Sequence, residues 1–207
     1  RNIFHVVYYF QYKNPRLVKR KPMKSKKRRN RLPAVLLVAA LLVCAVFLFF
    51  LLYPLRYFQT IKLYAEEYDV EPEFVCAVIN AESRFDRDAI SRMGARGLMQ
   101  ITENTAVWLA SELNLQDFSY EQIFDPKINI RLGCFYLSKL IKQYGDINVA
   151  LCAYNAGSGN VDQWLNNVDY SHDGHTLITI PFPETRHYVK RVSDNQKIYE
   201  WMVKIVP

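Results

Sequence analysis

Residues 72–84, Pro72-Glu-Phe-Val-Cys-Ala-Val-Ile-Asn-Ala-Glu-Ser-Arg84, hold the pattern from which the rest of the chain can be read. Val75, Val78 and Ile79 recur at three- and four-residue spacing, the period of one face of an α-helix. Pro72 suits the first helical position, where its preset φ is right and its missing N–H costs nothing. Glu82 falls at i+7, i+4 and i+3 from those three residues, which puts a carboxyl on the buried stripe. Desolvation disfavours the charged form and raises the pKa, and a carboxyl still protonated near neutral pH can hand a proton to a leaving oxygen. Taken alone, the helix favours a plainer reading, a terminal glutamate paired with Arg84, Arg87 or Arg92. The residues downstream reverse that preference.

Working outward, the chain from residue 56 reads as helices. Tyr57 to Tyr68 is periodic and stops before Pro72. A second helical pattern runs from Leu98, just after Gly97, to about Asn114. Asp125-Pro126 starts a long one that stops at Tyr144-Gly145. Another runs from Asp146 to Ala156-Gly157, a short one covers Val161–Leu165, and the last spans Pro183 to about Lys204. Only Thr176–Ile180 has strand character. Cys76, Cys134 and Cys152 sit in apolar helical patterns, where packing is their expected role. The fold class is mainly α.

Upstream the composition changes. The chain has 207 residues and a formal charge of +7, but residues 1–31 contain 12 of the 27 Lys and Arg and no acid. The remainder has 15 bases against 20 acids, a charge of −5, so the basic total is no evidence for nucleic-acid binding. No charged residue stands between Arg31 and Arg56, and Ala34–Tyr53 is an unbroken apolar run between Pro33 and Pro54. At about 1.5 Å per residue, a helix of that length crosses the ~30 Å hydrocarbon layer of a bilayer. The run has no small-x-small cleavage site at its end, which favours an uncleaved anchor over a signal peptide. The Lys and Arg cluster before the span orients the N-terminus inside and the body outside. The expected organisation is a basic cytoplasmic tail over 1–31, a single membrane helix over 32–55 with residues 34–53 in the cytoplasmic membrane, and an extracytoplasmic domain over 56–207. Met23-Lys-Ser-Lys-Lys-Arg-Arg reads as a natural start, which leaves residues 1–22 as upstream sequence.

Two further motifs follow Glu82. Gly94-Ala-Arg-Gly97-Leu-Met-Gln100 is a side-chain-poor turn with an amide, and Ala153-Tyr-Asn-Ala-Gly157 ends a helix with a phenol and an amide. Amides, hydroxyls and aromatic faces are the usual groups for holding sugars. Together with Glu82-Ser83 and Pro183-Glu-Thr-Arg-His-Tyr188-Val, these motifs resemble, in order, the catalytic domain of the soluble-lytic-transglycosylase type. The resemblance covers residues 60 to about 205. It implies a lysozyme-like α fold and cleavage of the β-1,4 bond between N-acetylmuramic acid and N-acetylglucosamine in peptidoglycan glycan strands.

Carried over residue by residue, the resemblance makes Glu82 the lone catalytic acid/base and Ser91 a contact to the muramyl sugar. Gln100 and Asn155 become cleft amides, Tyr154 the aromatic of its motif, and Tyr188 the hydroxyl near the glutamate. Ser83, Gly97 and Met99 join the substrate-binding set. Thr102 departs from the pattern, standing where many relatives have a second methionine. Ordinary glycosidases use two carboxylates, about 5–9.5 Å apart. With one, Glu82 protonates the glycosidic oxygen, then takes the proton of the muramyl 6-hydroxyl, which closes a 1,6-anhydro ring without consuming water. No metal or other cofactor is called for, and His172-x-x-His175 reads as solvated loop. Asp86, Asp88 and Glu103 are the nearby carboxylates that would instead support a hydrolytic muramidase of the same fold. A non-catalytic wall-binding module is the remaining alternative. Arg84, Arg87, Arg92 and Arg96 are candidates to attract anionic peptide stems and to lower the pKa of Glu82.

Overall fold

The computed structural model describes residues 31–205. The expected basic tail before Arg31, with its start at Met23, lies outside the described residues. The chain divides into two compact units, residues 1–43 and 44–207. Of the first, the described part is Arg31 and the opening turns of helix α1 (Leu32–Leu52), where every side chain is exposed. The helix is apolar on all faces, and among the described residues only its last turn, at Phe49, packs against the rest of the chain. It ends at Leu52, one residue short of the apolar run, because Pro54 disfavours helical geometry at Tyr53.

The second unit is helical. After α1 come α2 (Phe58–Glu67), α3 (Pro72–Ser83), α4 (Glu103–Glu112), a short 3-10 helix (Tyr120–Phe124), α5 (Pro126–Tyr144), α6 (Ile147–Ala156), α7 (Ser158–Leu165) and α8 (Pro183–Ile205). Among the described residues, β-structure is limited to isolated bridges of Arg96 with Ile90 and Ile101. Local sequence explains most boundaries. Asp125 caps α5 by accepting from the backbone of Lys127 at 2.7 Å and Ile128 at 3.3 Å, Pro126 occupies its first turn, and Gly145 ends it with φ 71°. Asp146 caps α6 through Val149 N–H at 2.9 Å.

α3 is the central helix. It packs most extensively against α8, with α2 also on its flank. Phe74 through Ile79 are all buried, so α3 is covered on nearly every side and not only along the Val75–Val78–Ile79 stripe. Burial of that apolar surface, at roughly 25 cal/mol per Å2, is what ties α2, α3 and α8 together. Cys76, Cys134 and Cys152 are buried free thiols in this core.

Two expectations fail. The helix anticipated from Leu98 begins only at Glu103, because Gly97 (φ 76°) and Gln100 (φ 46°) both take left-handed conformations and turn the chain first. Thr176–Ile180 forms no strand. Asp173 accepts from the backbone N–H groups of His175 and Thr176 at 2.8 and 2.7 Å and from the Thr176 hydroxyl at 2.8 Å, which holds the segment in a local turn.

Candidate active site

Glu82 stands on the last turn of α3, just past the buried run Phe74–Ile79. Part of its side chain still reaches solvent, yet protein atoms pack round the carboxyl, and this burial pushes its pKa up to about 7. Two groups oppose the rise. The Tyr188 hydroxyl stabilises the charged form, and the positive charge of Arg191 does so more weakly. Both come from α8, and sequence reasoning missed Arg191. The four arginines expected to act on Glu82 are not what tunes it. Arg96, for example, is turned onto Glu121 at 2.7 Å and stacked 4.6 Å from the centre of the Tyr120 ring.

The Tyr188 hydroxyl is buried with no well-aligned hydrogen bond. Burial first, then the nearby Glu82 carboxylate, push its pKa well above the ordinary phenol value. Such an unsatisfied group is uncommon in a folded interior and marks a position whose polar partner is either strained or supplied by a ligand. Tyr154 is the second phenol coupled electrically to Glu82, and its hydroxyl donates to the Met99 carbonyl at 2.7 Å.

Tyr154 also borders a cavity of about 290 Å3, whose walls include Gln100, Thr102, Thr105, Tyr136 and Asn155. Gln100 uses its amide nitrogen on Gly97 O at 2.8 Å and Ala89 O at 3.1 Å, leaving its carbonyl without a partner among the described residues. Asn155 accepts from Thr185 at 2.8 Å through its carbonyl, which leaves the amide N–H groups for the cavity. Thr102 and Thr105 pair their hydroxyls at 2.9 Å on the same wall. Thr102, the departure from the family pattern, thus supplies a polar edge where a thioether would be apolar. The Ser91 oxygen accepts from Met93 N–H at 3.2 Å and Ala95 N–H at 3.0 Å, which folds the loop before Gly97 and keeps its own hydroxyl hydrogen unspent.

Three of the expected contact residues stand elsewhere. Met99 is fully buried, its thioether filling the space opposite Gly133, so it packs the core instead of touching a sugar. Gly97 is buried as well. A Cβ there would come within 2.2 Å of Asn129 Nδ2, so the glycine serves close packing and the left-handed turn. Ser83 donates to Leu98 O at 2.7 Å and thereby ties the Glu82 helix to the Gly97 turn. Asn129, which gave no signal in the sequence, pins that turn from α5. Fully buried, it accepts from Met99 N–H at 2.8 Å and donates to Ile123 O at 2.9 Å and Arg96 O at 3.2 Å.

A second carboxylate close to a buried glutamate would raise its pKa further by like-charge repulsion, and no carboxylate figures among the groups acting on Glu82. Asp86 caps the backbone of Asp88 at 3.0 Å, Asp88 pairs with Arg87 at 3.5 Å, and Glu103 is exposed.

The family profile for the transglycosylase SLT domain matches residues 59–176, which takes in Glu82, the Gly97 turn and the Tyr154-Asn155 pair. The chain belongs to the SLT domain family. Over 154 residues it is 33% identical to the soluble lytic murein transglycosylase of Escherichia coli K12, covering 73% of this chain and 24% of that protein. It is 32% identical over 167 residues to the membrane-bound lytic murein transglycosylase C of Yersinia enterocolitica, covering 70% of this chain and 46% of that one. An inactive mutant of the lytic transglycosylase Slt of Pseudomonas aeruginosa superposes with a TM-score of 0.65 at 34% identity, over 73% of this chain and 25% of that one. The same score, at 31% identity, relates the SLT domain to the 70-kDa soluble lytic transglycosylase in complex with bulgecin A. This chain spans about a quarter of the length of the soluble relatives it matches.

Proposed function

We propose that the protein is a membrane-anchored lytic transglycosylase that cleaves the β-1,4 bond between N-acetylmuramic acid and N-acetylglucosamine of peptidoglycan and leaves 1,6-anhydro-muramyl ends. In this reading residues 32–55 anchor it in the cytoplasmic membrane with the N-terminus inside, and residues 56–207 form the catalytic domain outside. Kinship with soluble and membrane-bound murein transglycosylases supports the substrate class. The length and apolar composition of helix α1, largely exposed in the described residues, support the anchor.

The observation that carries the mechanism is a single carboxyl, raised to about 7 by burial and coupled electrically to Tyr154, which borders an amide-lined cavity. Glu82 enters protonated and gives its proton to the glycosidic oxygen as the bond to muramyl C1 breaks. The substrate's own N-acetyl oxygen stabilises the positive charge growing at C1. The glutamate, now ionised, accepts the proton of the muramyl 6-hydroxyl while that oxygen bonds to C1. The carboxyl ends as it began, one C–O bond has replaced another, and no water is consumed. A nucleophile already attached to the substrate needs no second carboxylate to position it, and it gains the advantage of an intramolecular reaction. Gln100 and Asn155 would orient the sugars through their free carbonyl and N–H groups, with Ser91 contacting the muramyl residue. Tyr188 would hold the Glu82 carboxylate during its ionised phase.

The test is mass spectrometry of fragments released from purified peptidoglycan by the full chain in detergent, with Glu82→Gln in parallel. Products lighter by one water than hydrolysed fragments, and absent with the variant, are expected. Hydrolysed reducing ends would refute the anhydro mechanism.

A further inference from the structure

The end of α8 has no part in the chemistry above, yet it carries two large exposed apolar side chains. Trp201 and Ile205 are each 55% exposed and lie one turn apart on the same face, while Met202 between them points into the core. The Trp201 ring packs edge-on against Phe49, with centroids 5.9 Å apart and planes at 89°. Phe49 is in the last turn of α1, three residues before the helix ends.

This contact is locked on both sides. Phe49 also packs 5.4 Å from Tyr53, whose ring in turn meets Tyr199 of α8 at 6.0 Å. Asn80 of α3 donates to the Leu52 carbonyl at 2.8 Å and to the Tyr199 hydroxyl at 3.0 Å. Asn195 of α8 donates to the Asn80 carbonyl at 3.1 Å, and Tyr199 donates to Pro54 O at 3.3 Å. The last turn of α1, the end of α3 and the end of α8 therefore move as one body. Whatever depth Phe49 takes in a bilayer, Trp201 must take nearly the same.

We propose that the final turns of α8 form a second membrane contact, with Trp201 and Ile205 inserted at the outer boundary of the hydrocarbon beside the end of α1. The proposal rests on α1 spanning the membrane. Tryptophan is suited to this boundary, its large ring preferring the apolar side and its N–H the wet one. Lys204, exposed in the last turn, has the reach to extend its ammonium to lipid phosphates. Helix insertion at a second point converts a flexible tether into a fixed platform. Because Asn80 stands two residues before Glu82, the same network holds the acid at a set height above the lipid.

The experiment reconstitutes the full chain and its Trp201→Phe variant into phosphatidylcholine–phosphatidylglycerol vesicles and compares their fluorescence. Trp108 and Trp164 contribute to both proteins, so the difference spectrum isolates Trp201 with a substitution at an exposed site. The expected result is a Trp201 signal reduced roughly twofold by lipids brominated near the headgroup and protected from aqueous iodide. A Trp201 signal quenched by iodide and untouched by brominated lipid, in protein that still resists extraction by alkaline carbonate, overturns this inference alone. Protection from both quenchers would mean a protein surface covers Trp201 and overturns it too. Release of the chain by carbonate would overturn the anchor and this contact together.

Discussion

Replacing Glu82 by glutamine should abolish activity and at the same time stabilise the protein, but only above about pH 4.5. In the folded chain the carboxyl is raised from its ordinary 4.5 to about 7, chiefly by burial. The native state therefore binds this proton more tightly than the unfolded chain does. The resulting stability is fully present below about pH 4.5 and disappears as the pH rises through about 7. At about 1.4 kcal/mol per pH unit the difference is about 3 kcal/mol, reduced to about 2–3 kcal/mol because part of the side chain is solvated. Glutamine keeps the shape and neutrality of the protonated acid at every pH. Urea unfolding in a nonionic detergent, followed by circular dichroism, should find the two proteins equally stable near pH 4. At about pH 8.5 the variant should be ahead by about 2–3 kcal/mol. A stability difference that does not change with pH would refute the claim that the Glu82 carboxyl is desolvated in the free protein, and with it the basis for the proposed acid role near neutrality.

Related outcomes can be checked with the same preparations. Tyr188→Phe removes a hydroxyl that stabilises ionised Glu82, so the alkaline limb of the pH–rate profile should move upward, while stability changes by less than about 1 kcal/mol because the hydroxyl makes no well-aligned hydrogen bond. Arg191→Met should shift the same limb in the same direction by a smaller amount. Asn129→Ala strands Met99 N–H and two carbonyls in the core and should cost about 2–4 kcal/mol in urea unfolding; a loss below about 1 kcal/mol would show that the Gly97 turn does not depend on it. Asn155→Ala should raise KM roughly tenfold for soluble glycan fragments with little change in melting temperature, since only the Thr185 contact is lost from the fold.

Much of the architecture was written in local patterns. The apolar run to Pro54, the Pro72 start of α3, the Asp125-Pro126 cap and the Gly145 stop each act through neighbours within a few residues, so spacing alone located them. Helical period placed Glu82 on the stripe that has to be covered, but its selection as the candidate acid came from the downstream motifs and the resemblance they carry. The misread stretch after Gly97 has a longer-range cause. Leu98-Met99-Gln100 looked like the opening of a helix, and Met99 like a sugar contact, until Asn129 reached across from α5 to bind the turn and Gly133 made room for the thioether.

What the pKa of Glu82 became was likewise not local. The nearby arginines in the sequence were candidates to oppose the rise from burial, whereas folding turned Arg96 onto Glu121 and brought Tyr188 and Arg191 from a helix a hundred residues away. Sequence determined which side chain faced inward, because helical period and side-chain polarity are properties of adjacent residues. Tertiary structure decided its chemistry, because desolvation and charge depend on whatever atoms surround the carboxyl, and most of those arrive from distant parts of the chain.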